Sequence, residues 1–295
     1  MKKLKFFSAC AAAAALVCTC FSVNAANTFT EIEGFAFDIR DGGAVIHEYN
    51  GSNTEVTVPG KLLGAPVSGI ADSAFFGDGT LSSLDLSAAN SLGFIGSSAF
   101  YGCTSLSEVN IPDSVTQIGF GAFQSCTGLR TLALGSGLTE IEAQTFYNWD
   151  SLAFAEIPSN ITEIGAYAFG GCDSLTAVII PDSVVSIDKK AFYGSGQLTV
   201  YCRSGSYAHA FAEENGVPYI LTDQMPKGDI DGDGFVNICD VTMLQMHLAE
   251  ITKLSGFDRL AADIDGDGVV MIEDATALQM YLSEYDTVYP IGARG

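Results

Sequence analysis

The pair Ala-Phe recurs along the chain at a nearly constant step. It stands at Ala74-Phe75, Ala99-Phe100, Ala122-Phe123, Ala168-Phe169 and Ala191-Phe192, with Thr145-Phe146 in the same series. The steps are 25 residues and then 23 residues four times. A fixed period in this range restricts the chain to a solenoid. Each repeat is then one small unit that buries its apolar face on its neighbours.

Other columns keep the same step. Ile70, Ile95, Ile118, Ile141, Ile164 and Ile187 each precede a pair by four positions. Leu106, Leu129, Leu152, Leu175 and Leu198 form a second column, and Ile111, Leu134, Ile157 and Ile180 a third. Between these two the pattern alternates, as in Leu106-Ser107-Glu108-Val109-Asn110-Ile111. Period-two alternation predicts a short strand with one buried face. Pro112, Gly135, Pro158 and Pro181 end each strand. The outward positions are then Glu108 and Asn110, Thr131 and Ala133, Phe154 and Glu156, Ala177 and Ile179. Phe154 and Ile179 are expected to be exposed.

Cys103, Cys126 and Cys172 share one column, which Trp149 and Ser195 complete. They read as inert core thiols, cysteine behaving as a small buried hydrophobe; a disulfide or a metal site is the alternative. Of eight cysteines, five follow the leader, and this odd number argues against a full disulfide framework.

The strings Ala99-Phe100-Tyr101-Gly102-Cys103, Leu106 to Val115 and Ile118-Gly119 resemble the BspA-type leucine-rich repeat. The resemblance covers about 29–221. It implies a right-handed solenoid with short strands on one face. The stretch around Tyr49-Asn50-Gly51 is similar to an N-terminal cap, and Tyr207 to Ile220 to a C-terminal one.

After Leu221 the texture changes. Asp229, Asp231, Asp233 and Asp240 surround Gly234. Thirty-four residues later Asp263, Asp265, Asp267 and Asp274 surround Gly268 in the same spacing. Aspartates at positions 1, 3, 5 and 12 with glycine at 6 form an oxygen-ligand loop for a hard cation. Phe235 and Val269 stand where a backbone carbonyl is the ligand, and Asn237 stands at position 9. Met271 replaces that asparagine in the second loop, so calcium is expected to bind there more weakly. Each loop leads into an apolar helical pattern, over 241–249 and 275–283.

This tandem loop–helix pair resembles a type I dockerin over about 228–285. The resemblance implies two calcium ions and docking on a cohesin domain of a scaffoldin. Carried over by position, recognition falls on Ile238, Cys239, Gln245, Met246 and Glu250. The mirror set is Ile272, Glu273, Gln279, Met280 and Glu284. The fold class expected is α+β: a leucine-rich repeat solenoid with short strands, then a small all-α calcium-binding dockerin. The division expected is a signal peptide at 1–25, repeats at 27–222, a linker at 223–227 and the dockerin at 228–288.

The leader reading rests on Lys2, Lys3 and Lys5 followed by an apolar run to Val23, with small residues at Asn24-Ala25. It places the mature chain outside the cell, secreted and attached to a surface complex. No later run is long enough for a membrane helix. The formal charge is −22, and −25 without the three leader lysines. Such a surface disfavours nucleic acid and anionic membranes and suits cations.

The solenoid is expected to present a protein- or polysaccharide-binding surface in a cellulosome-like complex that serves polysaccharide catabolism. Tyr101, Tyr147 and Tyr193 follow the Ala-Phe column two repeats apart, a spacing of about 10 Å. With Phe154 they are the candidate ligand platform. No catalytic residues are expected: Glu140 and Glu163 read as solvated repeat positions, and His47, His209 and His247 lie far apart. The alternatives are an accessory carbohydrate-active enzyme or a structural spacer.

Overall fold

A computed structural model describes residues 29–225, 227–254, 256–283 and 291. The leader expected at 1–25 lies outside the described residues. So does Glu284 of the expected partner-facing set.

The repeats stack into a solenoid stapled along several lines. One line is a ladder of two-residue strands at the isoleucine column, in two runs: Phe94–Ile95 with Gln117–Ile118, and Glu140–Ile141 with Glu163–Ile164 and Ser186–Ile187. A second line is the alternating segment. Phe154–Glu156, Ala177–Ile179, Thr199–Cys202 and Tyr219–Leu221 pair in parallel there. At the start of the line Glu55–Thr57 and Ser83–Asp85 pair in the same way, and between these two runs it thins to single bridges, Leu84 to Val109 and Asn110 to Ala133. The expectation of strands on one face therefore needs correcting, since the isoleucine column carries its own ladder. The reason is geometric: a residue that turns the chain inward also brings its backbone within about 4.8 Å of the next coil.

A third line lies at the Ala-Phe corner. The amide of Phe75 donates to Ala99, Phe100 to Ala122, Phe123 to Thr145, Phe146 to Ala168 and Phe169 to Ala191. The phenylalanine rings therefore stack through the centre. Ring centroids are 4.8 Å apart for Phe75–Phe100 and 5.0 Å for Phe100–Phe123. The row continues to Phe192 and ends on Phe211. At the other end it begins on Tyr49.

Both ends are closed. A hairpin of Phe35–Arg40 and Gly43–Tyr49 adds to the edge of the first ladder through Ala65–Ile70. Helix α1 (Tyr207–Asn215) covers the other end, capped by the Ser206 hydroxyl, with Gly216 left-handed after it. Open ends would expose core and an unpaired edge.

The C-terminal module has its own core. Helix α2 (Ile238–Leu248) packs on helix α4 (Ile272–Leu282), with Val241, Leu244, Ala275 and Leu278 buried. Both helices start three residues before the apolar pattern does. The last loop residues are already helical, because Asp240 and Asp274 at the third helical position accept the amides of Asn237 and Met271. A short helix α3 (Gly256–Ala262), not expected from the sequence, joins the two halves.

Candidate functional site

The two Asp-rich loops have the same internal hydrogen bonds. Asp229 accepts the amide of Gly234 at 2.9 Å, and Asp263 that of Gly268 at 3.1 Å. Asp231 accepts from Asp233, and Asp265 from Asp267. Asp240 accepts from Ile230 at 2.6 Å, and Asp274 from Ile264 at 2.7 Å. Gly234 and Gly268 both have φ of 92°, a left-handed turn that glycine makes without strain. The loops fold alike because the same residues bond at the same offsets.

These bonds leave one buried oxygen over in each loop. Among the described residues, Oδ1 of Asp229 and Oδ1 of Asp263 are buried carboxylate oxygens without a hydrogen-bond partner. A buried unpaired carboxylate oxygen is costly and calls for a donor or a cation. Ligand oxygens of Asp229, Asp231 and Asp240 lie within 4.8 Å of one another, as do those of Asp263, Asp265 and Asp267. Burial pushes the Asp263 carboxyl above the usual carboxylate range. The donor set is all oxygen, so the loops fit a hard cation such as calcium. Phe235 and Val269 are exposed and turn their side chains away from the core.

Asn237 and Met271 differ in what they do. The Asn237 carboxamide oxygen accepts the amide of Cys239 at 2.7 Å and caps α2. Met271 makes no side-chain cap bond to α4.

The candidate partner-facing residues are largely open. Ile238 is 69% exposed and Ile272 63%, both at the first turn of a helix. Cys239, Gln245, Glu250, Glu273, Gln279 and Met280 are exposed, and Met246 is half-buried. The matched Gln-Met pairs on α2 and α4 are therefore presented on the surface twice. Ile291 pairs with Lys227, bringing the C-terminal end beside the start of the module.

The two modules touch through α3. Arg259 donates from Nε to Glu156 Oε1 at 2.9 Å, and its Nη2 lies 2.8 Å from the same oxygen. The amide of Gly256 donates to Glu156 Oε2 at 3.0 Å. Phe257 sits between Phe154 and Tyr201, with ring centroids 5.5 and 4.6 Å away. Two exposures expected from the alternation need correction. Ile179 is 4% exposed, and Phe154 is half-buried against Phe257. The outward face of these strands meets the C-terminal module in place of water. Phe154 thus stands apart from the tyrosine row.

That row has a member the sequence reading missed. Tyr167 lies between Tyr147 and Tyr193, edge to face with each, at 6.2 and 5.8 Å. Tyr167 precedes its Ala-Phe pair where the others follow theirs, and its φ of 57° turns it toward them. Lys190 Nζ stands 5.3 Å from the Tyr167 ring centroid. Tyr101 lies against Phe76 instead, its ring 4.8 Å away and nearly parallel. Glu140 and Glu163 are exposed on adjacent rungs.

Two family profiles match the chain. Residues 68–199 match the BspA type leucine rich repeat region in six copies, and residues 227–283 match the dockerin type I domain. Neither is the profile of a catalytic domain. Among solved structures, a leucine rich cell surface protein from Faecalibacterium prausnitzii is similar at 28% identity and a TM-score of 0.50. The alignment covers 58% of this chain and 54% of that one. A T. pallidum leucine rich repeat protein is 31% identical with a TM-score of 0.42, over 59% of this chain and 71% of that one. The chain spans about half the length of the F. prausnitzii protein. No curated protein matches it.

Proposed function

We propose that this chain, which carries a BspA-type leucine-rich repeat region followed by a type I dockerin domain, is a non-catalytic, secreted component of a polysaccharide-degrading complex. Its dockerin binds two calcium ions and a cohesin partner. The modules divide at 27–222 and 228–288. The solenoid presents a surface to a polysaccharide or a protein.

The observation that supports this reading best is the doubled orphan oxygen at Asp229 and Asp263. Calcium bound there would be held by Asp229, Asp231, Asp233 and Asp240, and by their counterparts Asp263, Asp265, Asp267 and Asp274. It would supply the positive charge that lets four carboxylates share twelve residues. The protein's own residues do the rest. Asp240 and Asp274 fix the loop backbone, and the helices after the loops carry Ile238, Gln245 and Met246, with Ile272, Gln279 and Met280, outward. No helix among the described residues is long and apolar enough to cross a membrane.

The test is capture of the full chain on immobilised cohesin domains of several types, with calcium and with chelator. Retention by at least one cohesin, lost in chelator, is the expected result. Failure on every cohesin with calcium present overturns the partner assignment.

A further inference from the structure

Helix α3 faces two ways. On one side it meets the solenoid through Glu156, Phe154 and Tyr201. On the other it runs into the second Asp-rich loop: the amide of Asp263 donates to the Arg259 carbonyl at 3.1 Å. Arg259 also reaches the loop itself, donating from Nη1 to the Gly268 carbonyl at 3.1 Å. One guanidinium therefore holds a solenoid carboxylate and the tight turn of the second loop together. A cleft of about 490 Å³ beside it has Pro158 and Pro181 on one wall and Gly266 and Asp267 on the other.

The first loop meets α3 only through the two residues before it: Lys227 Nζ donates to the Leu260 carbonyl at 2.8 Å and the Gly228 amide to the Ala261 carbonyl at 2.9 Å, and neither bond involves Arg259 or the solenoid. Among the described residues, its side chains bond only within the loop and the helix it starts. No residue of the first loop lines that cleft. The two loops match internally and differ in what stands behind them.

We propose that the second loop is a clasp between the modules: filling it with a divalent cation and docking α3 on the solenoid favour each other, and the first loop stands outside this coupling. The inference rests on the reading of the loops as calcium sites. The physical reason is shared order. An Asp-rich loop without metal is opened by repulsion among its carboxylates, and Arg259 anchored on Glu156 pins its turn at Gly268. A cation that closes the loop in turn fixes the carbonyl to which Arg259 bonds. Glu156 has a second role. It neutralises Arg259, whose free N–H groups would otherwise turn to the loop carboxylates and compete with the cation. Coupling is reciprocal by thermodynamic necessity.

The experiment is calcium titration of the full chain by calorimetry, with and without Glu156→Gln, each site assigned in Asp229→Asn and Asp263→Asn backgrounds. Glu156→Gln alters no loop residue. The expected result is a fall of about fivefold or more at the second site and no change at the first. The reverse arm is small-angle scattering in calcium. Asp263→Asn should separate the modules into two lobes, and Asp229→Asn should leave them compact. Unchanged affinity at the second site in Glu156→Gln, or an equal fall at both sites, overturns the clasp. This holds even if Asp263→Asn unfolds its module. Two-site uptake by the wild type supports the calcium reading by itself and is unaffected by failure of the clasp.

Discussion

Trp149 donates its indole N–H to the carbonyl oxygen of Phe123 at 2.8 Å. The same bond is made in other repeats by other donors. Cys103, Cys126 and Cys172 thiols donate to Phe75, Phe100 and Phe146, and the Ser195 hydroxyl to Phe169. Each donor satisfies the buried carbonyl of a stacked phenylalanine in the preceding repeat. The column is therefore a column of donors, which the reading of its cysteines as small hydrophobes missed.

The first prediction follows from that chemistry. Cys126→Val keeps the volume and removes the donor, so the Phe100 carbonyl keeps only the Cys103 amide and loses its second bond, at a cost of about 0.5–1.5 kcal/mol. Cys126→Ser keeps a donor, as Ser195 already does. Denaturant unfolding should find the valine variant less stable than the serine one. The opposite order removes the donor role.

Thiol reactivity follows from burial. Burial is the main cause that pushes the Cys172 thiol up to about 12 and the Cys202 thiol up to about 11. Cys126 is raised further, with its Cys103 neighbour the leading cause and burial second. Cys239 alone among the five described cysteines is exposed. In a chain that starts after residue 25, one thiol should react with a disulfide reagent at pH 8 in the native protein, and five after denaturation. Raising the pH toward 10 should leave Cys126, Cys172 and Cys202 unreactive, since their thiolates form only above that range. Rapid reaction of two or more native thiols would count against the packing.

Met271→Asn should strengthen the second half of the dockerin in two ways. An asparagine there can cap α4 as Asn237 caps α2, worth about 1 kcal/mol. It also restores an oxygen at position 9 of the loop, so calcium affinity at that site should rise. Calorimetry and thermal unfolding of the full chain check both. Equal affinity in variant and wild type means the methionine was no defect.

The row Tyr147, Tyr167 and Tyr193 is the aromatic surface to test, with Tyr101 as a separate site. Replacing the three by alanine should abolish retention on any insoluble plant polysaccharide that the wild type binds. Tyr101→Ala alone should matter less, because its ring already lies against Phe76. Undiminished retention by the triple variant excludes the row as a glycan surface.

Much of this architecture is legible in the chain. Each stacked phenylalanine repeats the environment of the last, so Phe100, Phe123 and Phe146 announce one another at a step of 23. The Asp loops are legible for a related reason: their bonds run between residues a few positions apart, and Gly234 and Gly268 mark the turns. Helix α3 was not legible. It is seven residues long, and its Phe257 and Leu260 are a single helix-spaced pair, too short a run to establish a period. Tyr167 was missed because its place beside Tyr193 depends on a left-handed backbone that no tyrosine signals.

What the sequence determined by itself is whatever repeats or closes locally: the solenoid, its stacked core and two Asp-rich loops. A periodic column encodes its own neighbours, and a short loop carries its ligands within one turn. Only the tertiary structure decided which face of the solenoid stays free. Glu156 meets Gly256 across one hundred residues. That contact occurs once and serves two modules with separate cores, so it leaves no periodic trace in the chain. On the same strand face Phe154 packs against Phe257 and Ile179 is buried, where alternation alone assigns both to water.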